Sequence, residues 1–189
     1  MVACAGNSFI KANISPQVDT PREFAYMVRD GASQRRLFMD INYKLVQVQS
    51  AEDWETYHRI RREELFADGS RPRVYDAARP EEFFPANYPL LLKWNGVGIA
   101  TTRLDIHAGG LAIVRLVAVT KSAQGQGHGR VLAEMVEAFA QTLGVTKFVL
   151  NARVSAVGYY RRLGYVFESW DPAELASSSD RCVQMSKTL

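Results

Sequence analysis

Cysteine is nearly missing from this chain. There are two among 189 residues, Cys4 and Cys182, far apart and in no Cys-x-x-Cys pair. A disulfide framework and a zinc knuckle both lack their raw material, and a reduced, intracellular setting is the simplest reading. Histidine is scarce too: His58, His107 and His128 show no metal-ligand spacing, so no metal is expected. No apolar run approaches the ~20 residues of a membrane span. The best stretch, Leu111 to Val119, is interrupted by Arg115. A basic segment followed by a long apolar one, as in a secretory leader, is absent from the first residues. An excess of one charge is small as well: 23 Lys and Arg stand against 20 Asp and Glu, for a net +3. That permits an anionic ligand without marking a nucleic-acid binder. The arginines at 59, 61, 62, 71, 73 and 79 interleave with Glu55, Glu63, Glu64, Asp68 and Asp76, as on a solvated surface. A cytoplasmic protein is expected, with no nucleic acid and no membrane among its partners.

What is present is an ordinary globular composition, 47% hydrophobic and 23% charged. A chain of this length buries ~70% of its unfolded surface, enough for a core without staples. Residues 1–40 mix Pro16, Pro21, Gly31 and several serines without sustained periodicity, and read as an irregular arm. Residues 41–189 read as one domain. Tyr43 to Val48 alternates like a half-buried strand. Ser50 with Asp53 starts a helix carrying Trp54, Tyr57, Ile60 and Leu65, ending near Asp68-Gly69. A polar loop follows over 69–87. Tyr88 to Trp94 and Val97 to Ile106 flank Asn95-Gly96, a strong hairpin signal. After Gly109-Gly110, Leu111 to Val119 is apolar enough to be a central strand.

The period then changes. Val131, Leu132, Met135, Val136, Phe139 and Leu143 form a helical stripe closed by Gly144. Val145 to Leu150 is a further strand. Ala152, Ala156, Tyr159 and Leu163 form a second stripe closed by Gly164. Tyr165 to Glu168 is strand-like, and a serine-rich loop at 177–179 leads to a last strand, Arg181 to Met185. A meander followed by strand, helix, strand and helix predicts an α/β domain with a mixed, mostly antiparallel central sheet flanked by helices.

The chemistry-bearing stretch is Val119-Thr120-Lys121-Ser122-Ala123-Gln124-Gly125-Gln126-Gly127-His128-Gly129-Arg130. A buried strand runs into a glycine-dense turn that opens onto an amphipathic helix. Glycines let a backbone turn its N–H groups toward a ligand, and a helix N-terminus adds a partial positive charge of ~0.5 e. Together they make a phosphate site without lysines; the bland alternative is a tight turn. A Walker A loop would need Gly-Lys-Ser/Thr at its end, and none is there. The dinucleotide fingerprint would need glycine at 130, which is Arg130, and a preceding βαβ unit instead of a meander.

What remains, Gln124-x-x-Gly127-x-Gly129, matches an Arg/Gln-x-x-Gly-x-Gly/Ala signature. About thirty residues on, Ala156-Val157-Gly158-Tyr159-Tyr160-Arg161-Arg162-Leu163-Gly164-Tyr165 looks like an A-x-x-Phe-Tyr-x-x-x-Gly-Phe/Tyr segment. In these two blocks, and in Arg115-Leu116-Val117-Ala118-Val119 before them, the chain resembles the GNAT family of acyl-CoA-dependent N-acyltransferases over roughly residues 42–187.

The resemblance implies a sheet with a central splay between two strands and acetyl-CoA as co-substrate. It further implies direct acetyl transfer to a primary amine, on a small molecule or a protein. Backbone groups of Val117, Ala118 and Val119 would run beside the pantetheine arm. N–H groups of Gln124, Gly125, Gln126, Gly127, His128 and Gly129 would hold the pyrophosphate, and a backbone N–H near Val117 would face the oxyanion. Tyr160 matches the tyrosine that protonates the leaving thiolate. Arg153 stands where many relatives carry an asparagine, with Asn151 as a substitute contact. Gln126 occupies a position often basic. No general base is legible; Glu63, Glu64, Asp105 and His107 are the candidates, each with a surface role as rival reading. Trp54, Tyr57, Phe66, Phe83, Phe84 and Tyr88 would line an acceptor pocket or belong to the core. A CoA-binding regulatory module without turnover is the alternative function, and a homodimer is left open.

Overall fold

Alternation sets the first strand: in β1 (Tyr43–Gln47), Tyr43 and Leu45 are buried and the residues between them are not. The computed structural model describes residues 43–67, 75–178 and 182–189; the expected arm at 1–40 lies outside them. Helix α1 (Ala51–Arg61) is started by Ser50, whose Oγ accepts the Asp53 N–H at 3.1 Å. It widens at its end into one π turn over Arg62–Phe66; the expected end at Asp68-Gly69 lies outside the described residues. Within the expected loop, Pro80–Glu82 forms a 3₁₀ turn.

Strands β2 (Asn87–Trp94) and β3 (Val97–His107) meet at Asn95 and Gly96, with φ of 48° and 82°. Both central residues of a type I′ hairpin require that region. Strand β4 (Leu111–Val119) completes an antiparallel meander. Helix α2 (His128–Thr142) then carries the chain over the sheet to β5 (Lys147–Arg153), which lies parallel to β4. After α3 (Val157–Arg162), β6 (Val166–Phe167) and α4 (Pro172–Ser177), β7 (Cys182–Thr188) inserts between β5 and β6. The strand order is β1-β2-β3-β4-β5-β7-β6. The predicted mixed, mostly antiparallel sheet flanked by helices is the one observed.

Several boundaries differ from expectation. β5 extends to Arg153, so Ala152 is a strand residue at 1% exposure and not part of a helical stripe. The reason is a period of two: Phe148, Leu150 and Ala152 supply one face of β5 to the core. β7 runs past Met185 to Thr188, and the expected start at Arg181 lies outside the described residues. Helix α4 was not foreseen, although its start is written locally. Asp171 Oδ1 accepts the N–H groups of Ala173 and Glu174, and Pro172 occupies the first helical turn.

The two faces of the sheet bury separate cores. Beneath α2 and α3, Leu92, Ala100, Leu104, Phe148, Leu150 and Met185 pack against Leu132, Met135 and Val136. Beneath α1, Val48, Leu91 and Ala118 pack against Tyr57 and Ile60. Each fully buried Val, Leu, Ile, Phe or Met among them contributes ~1.5–3 kcal/mol. Among the described residues, no helix is long and apolar enough to cross a membrane.

The functional asymmetry comes from the middle of the sheet. The β4–β5 ladder pairs only Leu111–Ile113 with Lys147–Val149, and beyond it the two strands part. On the other edge of β4, Thr101 opposes Ala118 while Arg103 opposes Arg115, so β4 holds one extra residue there. That bulge contains Leu116 at φ 53°, a left-handed conformation rare outside glycine. Non-glycine residues so held cost of order 1–3 kcal/mol and cluster at functional sites. The Thr102 hydroxyl donates to the Arg115 carbonyl at 3.1 Å and braces the bulge.

Candidate active site

The glycine-dense turn forms as its composition requires. Gly125 and Gly127 have φ of 75° and 87°, and a Cβ added to either would meet nothing within 4 Å. These glycines serve conformation and open space, not packing. Gly127 stands at the start of α2, with no side-chain cap. Among the described residues, the N–H groups of Gly125, Gln126, Gly127, His128 and Gly129 have no acceptor. Five orphan donors at a helix N-terminus constitute an anion cradle.

Gln124 plays a different part from its neighbours. Its N–H is used in a turn to Lys121 O at 3.3 Å, and its Nε2 donates to Val119 O at 2.9 Å and Glu64 Oε2 at 3.2 Å. Glu64 also accepts the Lys121 N–H at 2.7 Å. Gln124 and Glu64 therefore shape the loop from behind. Gln126 Nε2 closes onto Ser122 O at 2.8 Å.

Gly129 has another purpose. A Cβ there would come within 3.3 Å of the Tyr159 hydroxyl, which donates to Gly129 O at 2.7 Å. Helix α3 is thereby tied to the first turn of α2. Tyr160 follows, edge-on to Tyr159 at 5.0 Å and to Tyr165 at 5.4 Å. Burial, then the neighbouring Tyr159, pushes the Tyr160 phenol well above its ordinary range. Burial, then Glu137, raises Tyr159 to about 12. The Tyr160 hydroxyl has no hydrogen-bond partner among the described residues. It lines a small cleft, partly open to solvent, together with Val114 and Val117 of β4, Phe148 of β5 and Leu132 of α2. The cleft lies where the strands part.

His128 turns its ring away from the cradle. The side chain is buried, with Nδ1 2.6 Å from the Tyr43 hydroxyl and its ring 4.7 Å from that of Trp94. Burial lowers its pKa. Only its backbone N–H faces the loop's task. Ala118 points to the opposite face, under α1. Asn151 also faces away from the cleft: its Oδ1 accepts from Gln184 Nε2 at 3.2 Å and its Nδ2 donates to Glu174 O at 3.4 Å. Cradle, cleft, Val117 and Tyr160 thus share one face, while Ala118 and the Asn151 side chain belong to the other.

That other face holds a constellation that sequence reasoning missed. Glu82, at 4% exposure, accepts from Tyr57 Oη at 3.0 Å, Arg61 Nη1 at 2.8 Å and Arg103 Nη1 at 2.7 Å. Burial alone would raise its carboxyl pKa, but Arg61 and Arg103 hold it below the ordinary range. Arg103 also donates from Nε and Nη2 to Asp105, at 2.6 and 3.0 Å. Arg115 donates from Nε to Asp105 at 2.5 Å and, with both terminal nitrogens, to Glu174 at 2.7 and 3.0 Å. Burial opposes the charge on Arg115; Glu174 and Asp105 restore it and raise its pKa. Asp105, a candidate base, is therefore held by two guanidinium groups. Glu63 pairs with Arg59 at 3.1 Å, and His107 is exposed at the end of β3. The aromatic candidates divide: Tyr57 is core, Tyr88 packs on Phe139 at 5.7 Å, and Phe83 and Phe84 are exposed.

A bulged and splayed sheet with an amide cradle beside the gap defines a class of fold before any comparison. A sequence model of the Acetyltransferase (GNAT) family matches residues 51–165, more than half of the chain, and the chain belongs to that family. A curated Bacillus subtilis (strain 168) protein named for acetyltransferase activity is 32% identical over 69 residues. That match covers 36% of this chain and 45% of the relative, so the chain spans about half the length of the relative it matches. Among solved structures, an acyl-CoA N-acyltransferase from Pseudomonas aeruginosa superimposes with TM-score 0.63 at 19% identity, over 78% of this chain and 99% of that one. An aminoglycoside 6'-N-acetyltransferase complexed with coenzyme A gives 0.62 at 14%, over 76% and 96%. The N-acetylglutamate synthase of Neisseria gonorrhoeae, complexed with coenzyme A and N-acetyl-glutamate, gives 0.64 at 15%, over 78% and 35%. At these identities the likeness is one of fold.

Proposed function

We propose that the protein is an N-acetyltransferase that moves an acetyl group from acetyl-CoA directly to a primary amine. The observation that carries this reading is the row of five orphan N–H groups, Gly125 to Gly129, beside the cleft that Val117 and Tyr160 line. The residues fit the co-substrate: open space at Gly125 and Gly127 would admit a diphosphate, and the unpaired edge of β4 beyond Ile113 would admit an extended pantetheine arm. Two neighbours of the same fold were solved with coenzyme A.

Five N–H groups and the α2 N-terminus would bind and orient the donor's diphosphate. The acceptor amine, as the free base, attacks the thioester carbonyl and a C–N bond forms; the C–S bond breaks, the nitrogen's surplus proton leaves to solvent, and the thiolate takes a proton. Tyr160 would supply that proton. The phenol holds its proton at neutral pH and so has one to give; burial raises its pKa and makes it a weaker donor than a free phenol. A backbone N–H near Val117, beyond the last β4–β5 pair, would serve a developing oxyanion.

Calorimetry with acetyl-CoA, followed by thiol release on adding amines, tests the reading. Binding with release is the expected result; binding without release for any amine would favour a regulatory module. Tyr160→Phe should lower kcat by ~10²-fold or more while acetyl-CoA affinity stays put. Unchanged turnover would remove Tyr160 from the mechanism.

A further inference from the structure

We propose that the acceptor is an amino acid, an amine carrying a carboxylate in the same small molecule, and that Arg115 anchors the carboxylate. The inference rests on the acyltransferase reading and deepens it. Arg115 and Asn151 each lie two residues past the last paired rung of β4 and β5, Ile113 and Val149. They are the first side chains on the α1/α4 face of the gap. Helix α4 bridges them: the Glu174 carboxylate grips Arg115 with two hydrogen bonds, and the Glu174 carbonyl accepts from Asn151. A carboxylate of the chain itself therefore sits at the mouth of the gap opposite the cleft.

This clasp is built to be exchanged. Arg115 and Glu174 side chains are 26% and 29% exposed, so this pair, unlike the rest of the network, is within reach of solvent and of an entering ligand. Helix α4 has six residues, too few to be stable alone. The rest of the network is buried and rigid. Arg115 stays bound to Asp105, which Arg103 holds, and Arg103 is tied through Glu82 to Arg61. Among the described residues of this network, three arginines face three carboxylates with Glu174 in place. When Glu174 swings off, one positive charge is left over, on a guanidinium already aimed at the gap. The planar fork matches a carboxylate bidentately, and the entering carboxylate takes the place that Glu174 leaves.

The test uses the full chain, acetyl-CoA and matched acceptors: phenylalanine against phenethylamine, histidine against histamine, lysine against cadaverine. Thiol release is the readout, with calorimetry of acetyl-CoA alone beside it. The amino acid of a pair should show a KM lower by about tenfold or more. Arg115→Gln should close that difference without altering acetyl-CoA affinity, and Arg115→Lys should keep part of it. Glu174→Ala removes the internal competitor and should lower KM for the amino acid, whereas loss of a merely structural strap would raise it or leave it alone. Failure of acetyl-CoA to bind would overturn the acyltransferase reading and this inference together. Normal acetyl-CoA binding with pairs that are silent, indistinguishable, or still discriminated by Arg115→Gln would overturn the carboxylate anchor alone.

Discussion

The two faces of the central gap solve different problems with different materials. The α2/α3 face is mostly backbone and apolar surface: five N–H groups without an acceptor among the described residues, then Val114, Val117, Leu132, Phe148 and the hydroxyl of Tyr160. The α1/α4 face is charge: Arg61, Arg103 and Arg115 against Glu82, Asp105 and Glu174. Main-chain amides suit a ligand part common to every turnover, since they depend on few side chains. A charged network suits whatever must be distinguished, because one substitution changes what it accepts. The contrast predicts that the two faces fail separately.

The sharpest way to break that contrast is Glu82→Ala. It leaves Arg61 and Arg103 buried without their shared carboxylate, and Arg61 Nε and Nη2 already lack a partner among the described residues. Removing one partner from a buried ion pair typically costs about 3–5 kcal/mol. A urea midpoint should fall accordingly, while the folded fraction binds acetyl-CoA as before. The pH dependence has a definite sign. Glu82 is held below its ordinary pKa, so its contribution is complete above the usual carboxylate range and disappears as pH falls through the native value. The variant should lose that part of the acid sensitivity. Weakened acetyl-CoA binding in proportion to lost stability would mean that the faces are one unit.

This division also explains what could be read from the sequence. The cradle occupies five consecutive residues whose glycines have direct conformational meaning, and Tyr160 lies in a contiguous block. The hairpin at Asn95-Gly96 and the α2 stripe are local for the same reason. The charge network draws on positions 61, 82, 103, 105, 115 and 174, joined only by the sheet register and by α4. Arg115 looked like an interruption in an apolar strand, and Glu174 lay in a segment without periodicity. The Asp171-Pro172 start of α4 was a usable signal; nothing local showed that its Glu174 would cross to β4. The directions of the Asn151 and Ala118 side chains followed from where β5 begins and where β4 bulges, which residue patterns place only approximately.

On the donor face, Gly127→Ala sharpens the comparison with a smaller effect. A non-glycine residue in the left-handed region costs about 1–2 kcal/mol, and Gly127 sits at φ 87°. Relaxation of the turn would rotate the orphan N–H groups away from one another. Acetyl-CoA affinity, measured by calorimetry, should weaken about tenfold, and the preference among acceptors should not change. Gly129→Ala would act by another route, pressing on the Tyr159 hydroxyl.

The smallest expected effect concerns the hinge between loop and core. His128 begins α2 with its backbone in the cradle and its ring buried beside Tyr43 and Trp94; among the described residues its Nε2 and Trp94 Nε1 have no partner. Burial lowers its pKa beneath 6.5. Below that pH the unfolded chain takes up a proton that the folded chain refuses, so stability declines as pH drops from about 6.5 toward the native value and is flat above. His58, also lowered by burial, contributes a similar slope, so the informative quantity is a difference. Denaturation midpoints of wild type and His128→Gln, compared between pH 7.5 and 5.5, should show the shallower dependence in the variant. Equal slopes would mean that the His128 ring reaches water on protonation, and that the start of α2 is looser than its packing against Tyr43 implies.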